Sequence, residues 1–179
     1  VKFVDAMMRR RLSSLTRMAF RVAADCLSDE DSSPVHIFCS RYGEYNRTFG
    51  ILSELSKGEP ASAAAFSMSV HNTAASLFSI DRHDTSISTS LAGGEATLET
   101  AFVEAWTFLT SGEASSALVV YHDEPLPEIY RRQITTVAHP AAFALVLRLP
   151  DTERDAFRLS LNWDGNRLSA KTANSPSDP

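Results

Sequence analysis

The stretch SISTSLAGGEATLETAFVEAW, residues 86–106, reads as a short strand, an abrupt glycine turn and a helix opening at Glu95. Such strand–turn–helix junctions often carry an enzyme's nucleophile at the tip, aimed at the N-terminal end of the helix. Here the tip offers Gly93, Gly94 and Glu95, and no serine or cysteine. A carboxylate at a helix start complements the positive end of the helix dipole by roughly 0.3–1 kcal/mol and can accept a hydrogen bond from a free amide. The glycines then serve only the turn. The chemical alternative, Glu95 as a general base, requires a raised pKa. LAGGEA matches neither the GxxxxGK[ST] phosphate loop nor the dinucleotide pattern GxGxxG.

Other groups capable of chemistry are scattered. His36, His71, His83, His122 and His139 have no ligand spacing, so neither a metal nor any other cofactor is expected. Cys26 and Cys39 fit no metal spacing and no disulfide framework; they point to a reducing, cytoplasmic setting, with Cys39 a small buried hydrophobe. Asp123 and Glu124 follow VVYH at a strand's C-terminal end and, with no partner to name, are read as surface residues.

The elements that must position these groups alternate in type. Residues 5–27 are predicted as an amphipathic helix, with Leu15, Met18, Ala19, Val22, Ala23 and Cys26 on one face, ended by SDEDSSP. VHIF (35–38) is a buried strand, 44–57 a second helix, KGEPASAA a loop and 69–80 a short helix rich in small residues. Ile87–Leu91 feeds the junction. The helix after it buries Leu98, Ala101, Phe102, Ala105 and Leu109 and stops at Gly112. ALVVY (117–121), 141–149 and 157–163 are further strands, the last two expected to pair antiparallel around PDTERD. The pattern predicts an α/β layered fold with helices on a mainly parallel sheet. A single domain over 1–165 and a disordered polar tail over 166–179 are expected.

A formal charge of -5 argues against general nucleic-acid binding, and no apolar run reaches the roughly 18 residues of a membrane span. Yet Lys2, Arg9, Arg10, Arg11, Arg17 and Arg21 crowd the first helix against Asp5 alone. That cluster is either a solvated face or a docking surface for an acidic partner.

HNTAASLFSI is similar to the β-ketoacyl synthase segment Asn-x-x-Ala-x-x-x-Ser-Ile, matched by Asn72, Ala75, Ser79 and Ile80. Counting back from Gly112 sets Glu95 where those enzymes carry their nucleophilic cysteine. Ser88, Ser90 and Ala92 agree with the preceding strand, although the Gly-Pro entry is replaced by Ser86 and Ile87. MMRRRLSSLTRMA, SRYGEYNRTFGILSELSKGEP and SVHNTAA…SLAGGE together resemble a cysteine-less, chain-length-factor-like branch found with aryl polyene and related polyketide synthesis.

The resemblance implies a thiolase-like fold, a mixed sheet with helices packed on it, corresponding to the N-terminal half of a ketosynthase. His-Gly-Thr-Gly-Thr and Asn-Ala-His, which the family carries in its other half, do not occur in this sequence. It implies a non-catalytic subunit, not an enzyme on its own, that pairs with an active β-ketoacyl synthase in polyketide or fatty-acid-like biosynthesis. Pairing would run through Ile87, Ser88, Thr89, Ser90 and Leu91. Leu77, Phe78 and Phe102 would help to wall the acyl tunnel, and Arg9, Arg10, Arg11 and Arg17 would dock acyl carrier protein. The alternatives are an enzyme using Glu95 for thioester decarboxylation or hydrolysis, or a carrier-protein docking module.

Overall fold

The computed structural model of the chain describes residues 4–28, 34–131, 134, 137–150, 157–163 and 168–173. The acidic turn after residue 28, most of PDTERD, Lys2 and the last six residues lie outside them.

The predicted first helix is two. α1 (Ala6–Arg11) is capped by Asp5, whose carboxylate accepts from the amides of Met7 and Met8. α2 (Ser14–Cys26) starts afresh at Ser13, whose hydroxyl accepts from the Thr16 amide, and buries Leu15, Thr16, Ala19, Phe20 and Ala23. An N-cap side chain satisfies an amide that has no partner inside the helix, which is why the polar Ser13 breaks an otherwise continuous periodicity. β1 (Val35–Cys39), α3 (Tyr45–Ser56), α4 (Ala63–Ser67) and α5 (Thr73–Arg82) follow. α4 begins within the last two residues of the expected loop; Ser62 caps it through the Ala65 amide. β2 (Ser88–Leu91) leads through a 3-10 turn, Gly94–Ala96, into α6 (Thr97–Ser111), which ends at Gly112 with φ 77°. β3 (Ala117–Asp123), α7 (Glu128–Arg131) and β4 (Ala141–Leu147) complete the layered part.

The main sheet has the order β2-β1-β3-β4. β1 runs parallel to both β2 and β3, and β4 is antiparallel to β3, from Ala117 opposite Leu147 to Asp123 opposite Ala141. The expected hairpin between 141–149 and 157–163 is therefore corrected: β5 (Arg158–Trp163) pairs instead with β6 (Leu168–Ala173) in a separate two-stranded sheet. Part of the stretch expected as a tail, 166–179, is that sixth strand.

Side chains alternate across the central strands and feed two cores. Phe38, Leu118 and Val120 meet Phe20, Ala23, Ala75 and Phe78 of α2 and α5 on one face. Ile37, Cys39 and Val119 meet Ala101, Phe102, Ala105 and Leu109 of α6 on the other, where Leu159 and Leu161 of β5 also pack. The carboxyl ends of three parallel strands thus converge between two helical layers.

Candidate functional site

At those carboxyl ends lies a cleft of about 380 Å³, lined by Arg41, Tyr42, Gly94, Glu95, Thr97, Leu98, Glu99, Tyr121, Asp123 and Val137. Open α/β sheets bind ligands in this position, outside the carboxyl ends of their strands. β1 delivers Arg41 and Tyr42, β2 the elbow at Gly94 and Glu95, and β3 Tyr121 and Asp123.

The elbow is braced from inside. Thr97 Oγ1 accepts from the Gly93 amide at 3.0 Å and donates to the Gly94 carbonyl at 2.7 Å. Gly94 adopts φ 61°, a left-handed conformation that costs glycine little. Glu95 lies in the 3-10 turn, so α6 opens two residues later than expected. Its carboxylate is 77% exposed and faces Arg41 Nη2 at 3.7 Å.

Asp123 corrects its reading as a surface residue: it is only 3% exposed. Its Oδ1 accepts from Ser40 Oγ at 2.8 Å and from the Arg41 amide at 3.0 Å. Ser40 Oγ in turn accepts from the Gly43 amide at 2.7 Å, and His71 Nε2 donates to the Ser40 carbonyl at 2.8 Å. The turn carrying Arg41 is thereby fastened to the end of β3. Burial, reinforced by the Asp123 carboxylate, pushes the Tyr121 hydroxyl well above its ordinary pKa, so Tyr121 is a donor and not an anion. Burial likewise lifts the Cys39 thiol to about 12, consistent with its reading as a buried hydrophobe.

A second polar knot lies behind the turn. Buried Glu44 accepts from Ser13 Oγ at 2.5 Å and Thr16 Oγ1 at 2.6 Å, and pairs with Arg47 Nε at 3.3 Å. Arg47 Nη2 also donates to the Arg11 carbonyl at 3.2 Å, which ties α1 to α3. Sequence reasoning missed Ser40, Arg41, Glu44 and Tyr121. The available signal was SRYGEY directly after a buried strand, a glycine-bearing turn at a strand's carboxyl end.

The other expected site residues separate. β2 is the outer strand of the main sheet, with Ile87 before it and Ile80 of α5 both largely exposed. Arg9, Arg10, Arg11 and Arg17 are exposed on α1 and α2. Phe78 is wholly buried in the core under α2 and α5, with Leu77 half-buried against that same core. Phe102 is buried on the opposite face of the sheet. Among the described residues, no group of three or more His, Cys, Asp or Glu is placed to hold a metal ion, and no helix is long and apolar enough to cross a membrane.

The two helical layers on a mixed sheet, with an elbow at the strand ends, make this a thiolase-like fold. The chain belongs to the family described as the β-ketoacyl synthase N-terminal domain, whose model matches residues 1–178. It is similar to the ketosynthase ApeO in complex with its chain length factor ApeC from Xenorhabdus doucetiae, with a TM-score of 0.77 and 27% identity over 89% of this chain and 65% of that one. It is also similar in fold to the ishigamide ketosynthase/chain length factor, with a TM-score of 0.65 and 18% identity over 87% of this chain and 51% of that one. The chain thus spans less than two-thirds of the length of either. None of the curated proteins matches it.

Proposed function

We propose that this chain is a non-catalytic, chain-length-factor-like subunit that pairs with an active β-ketoacyl synthase. The single observation that carries the reading is Glu95, an exposed carboxylate paired with Arg41, at the elbow where a condensing enzyme needs an acyl-accepting nucleophile. Likeness to ketosynthase/chain length factor complexes supports it.

Pairing runs through β2. Its partner β1 uses the Ile87 and Leu91 carbonyls, bonding them from the amides of His36 and Ser40. In a parallel ladder that alternation turns the N–H and C=O groups of Ser88 and Ser90 outward. An open edge of this kind is a template for another strand.

The subunit stabilises the synthase and helps to shape its acyl tunnel, in aryl polyene-like or related biosynthesis. Leu77, Phe78 and Phe102 are the bulky side chains assigned to limiting product length. Phe78 and Phe102 belong to opposite faces of the sheet, so the two bound different stretches of any tunnel. Leu77, only half-buried, is the position whose truncation to Ala should lengthen products with least damage to the core. Acyl carrier protein, being acidic, docks on Arg9, Arg10, Arg11 and Arg17, and reversing those charges weakens that docking in a salt-sensitive way.

The test is the light-scattering mass of the chain co-expressed with a ketosynthase from the same source. A one-to-one complex that makes product only when both chains are present supports the proposal. A chain that ignores the synthase removes it and returns attention to Glu95.

A further inference from the structure

We infer that α1 is a docking plate for an acidic protein surface, and that Arg47, with Arg17, is a positioning residue that fixes the plate by holding the carbonyl end of α1. The plate rests on the reading of Arg9, Arg10, Arg11 and Arg17 as a carrier-protein face; the clip at its end can be judged without a partner. α1 buries none of its six residues. It is pinned at its two ends by Val4 and Leu12, both buried in the core under α2, with Met8 packed partly against the same core. A helix so lightly attached takes its orientation from its polar contacts. Carbonyls in the last turn of a helix have no partner inside it. Here two of them find partners outside: Arg17 Nη2 of α2 donates to the Arg9 carbonyl at 3.1 Å, and Arg47 Nη2 of α3 to the Arg11 carbonyl at 3.2 Å. Arg47 is itself held. Its Nε donates to Glu44 Oε2 at 3.3 Å, while the other oxygen of buried Glu44 accepts from Ser13 and Thr16. One buried carboxylate thus aims one guanidinium at the end of α1.

The clips present a face of one sign. Arg9, Arg10 and Arg11 fill the last turn of α1 and are exposed, as is Arg17. Three acids of the same region are already engaged. Asp5 caps the start of α1, Glu44 pairs with Arg47, and Glu124 accepts from Ser14 Oγ at 3.3 Å. A chain of net charge -5 that gathers four exposed guanidiniums around one short helix suits a negatively charged partner. Met7, 67% exposed on that helix, adds an apolar side chain that a folded protein can cover and a free anion cannot. Successive side chains leave a helix about 100° apart, so any tilt or rotation of α1 changes which of the three arginines a partner meets. Arg47 is three-quarters buried and matched by Glu44, so it gives that face no free charge. Its effect on docking is positional.

Carrier protein from the same source is titrated with the full chain by calorimetry from about 0.05 to about 0.5 M salt. Hydrogen exchange of the Arg9 and Leu12 amides, which donate to the Asp5 and Met8 carbonyls, is read in the chain alone and referred to the amides of α6. E44Q/R47Q removes the clip without changing net charge, and the amide oxygen of E44Q still accepts from Ser13 and Thr16. It should speed exchange in α1 but not in α6, and weaken carrier binding severalfold with the salt dependence kept. R10E, by contrast, should weaken binding and flatten the salt dependence while α1 stays protected. Unchanged α1 exchange in E44Q/R47Q overturns the clip, and unchanged binding with a loosened α1 overturns its part in docking. Should E44Q/R47Q not fold, Arg47→Lys decides: it keeps the charge and loses the fork that reaches both Glu44 and the Arg11 carbonyl. Binding equal to the wild type then overturns the inference. A wild type that ignores the carrier at every salt concentration removes the carrier-protein reading and the plate with it, and leaves the exchange result to judge the clip. Binding to vesicles of anionic lipid in place of the carrier makes the partner a membrane and overturns the protein plate.

Discussion

Glu95 and Asp123 line one cleft, yet one is open to solvent and the other sealed, and their substitutions should differ accordingly. Glu95→Gln keeps the shape of the elbow and should leave product formation by the paired synthase nearly unchanged. A large loss in reconstituted assays would instead mark a base. Asp123→Ala strips acceptors from Ser40 Oγ and the Arg41 amide inside the protein, at a cost of about 1–3 kcal/mol. Urea unfolding measures it, and a variant as stable as the wild type would show that those bonds contribute little. Cys39, fully buried with its thiol pushed up to about 12, should resist alkylation at neutral pH until the chain unfolds. Glu95 was legible in the sequence because three adjacent residues define the elbow. Asp123 was not, since its hydroxyl partner Ser40 is 83 residues away and only the parallel pairing of β1 with β3 brings them together.

At the scale of elements, the turn after β1 and the edge strand make separate predictions. Gly43 has φ +55°, and a Cβ there would come within 2.9 Å of His71 Cδ2. Gly43→Ala should therefore destabilise by about 1–3 kcal/mol, from backbone strain and the displaced imidazole together. Ser90→Pro removes an outward amide without taking one from β1, a change that edge strands tolerate. It should leave the unfolding midpoint close to wild type while reducing synthase binding, as titration calorimetry would reveal. Equal binding would move the interface elsewhere. The sequence made α6 readable through Leu98, Ala101, Phe102, Ala105 and Leu109, all on one face. It misled at 141–163, where a turn-like PDTERD suggested local pairing. β4 instead finds its partner in β3, where hydrophobic residues match along five of seven register pairs. β6 escaped notice because LSAKTA carries too little apolar alternation to signal a strand.

Taken as a whole, the main sheet ends in antiparallel β4 on one side and in parallel β2 on the other. Acid should loosen the fold globally. Burial pushes His122 down to about 4 from an ordinary value near 6.5, so the folded chain gives up stability as pH falls from about 6.5 toward 4. Unfolding free energies measured across that range should decline, and a flat profile would mean that the ring is hydrated in the folded state. The open edge has a consequence for dosage. A chain made in excess of its partner has its outward serine amides facing other copies of itself, and strand-to-strand aggregation competes with correct assembly. Its useful concentration in a cell would then be capped by the supply of the subunit that shields it, and the surplus would be cleared or lost to aggregates.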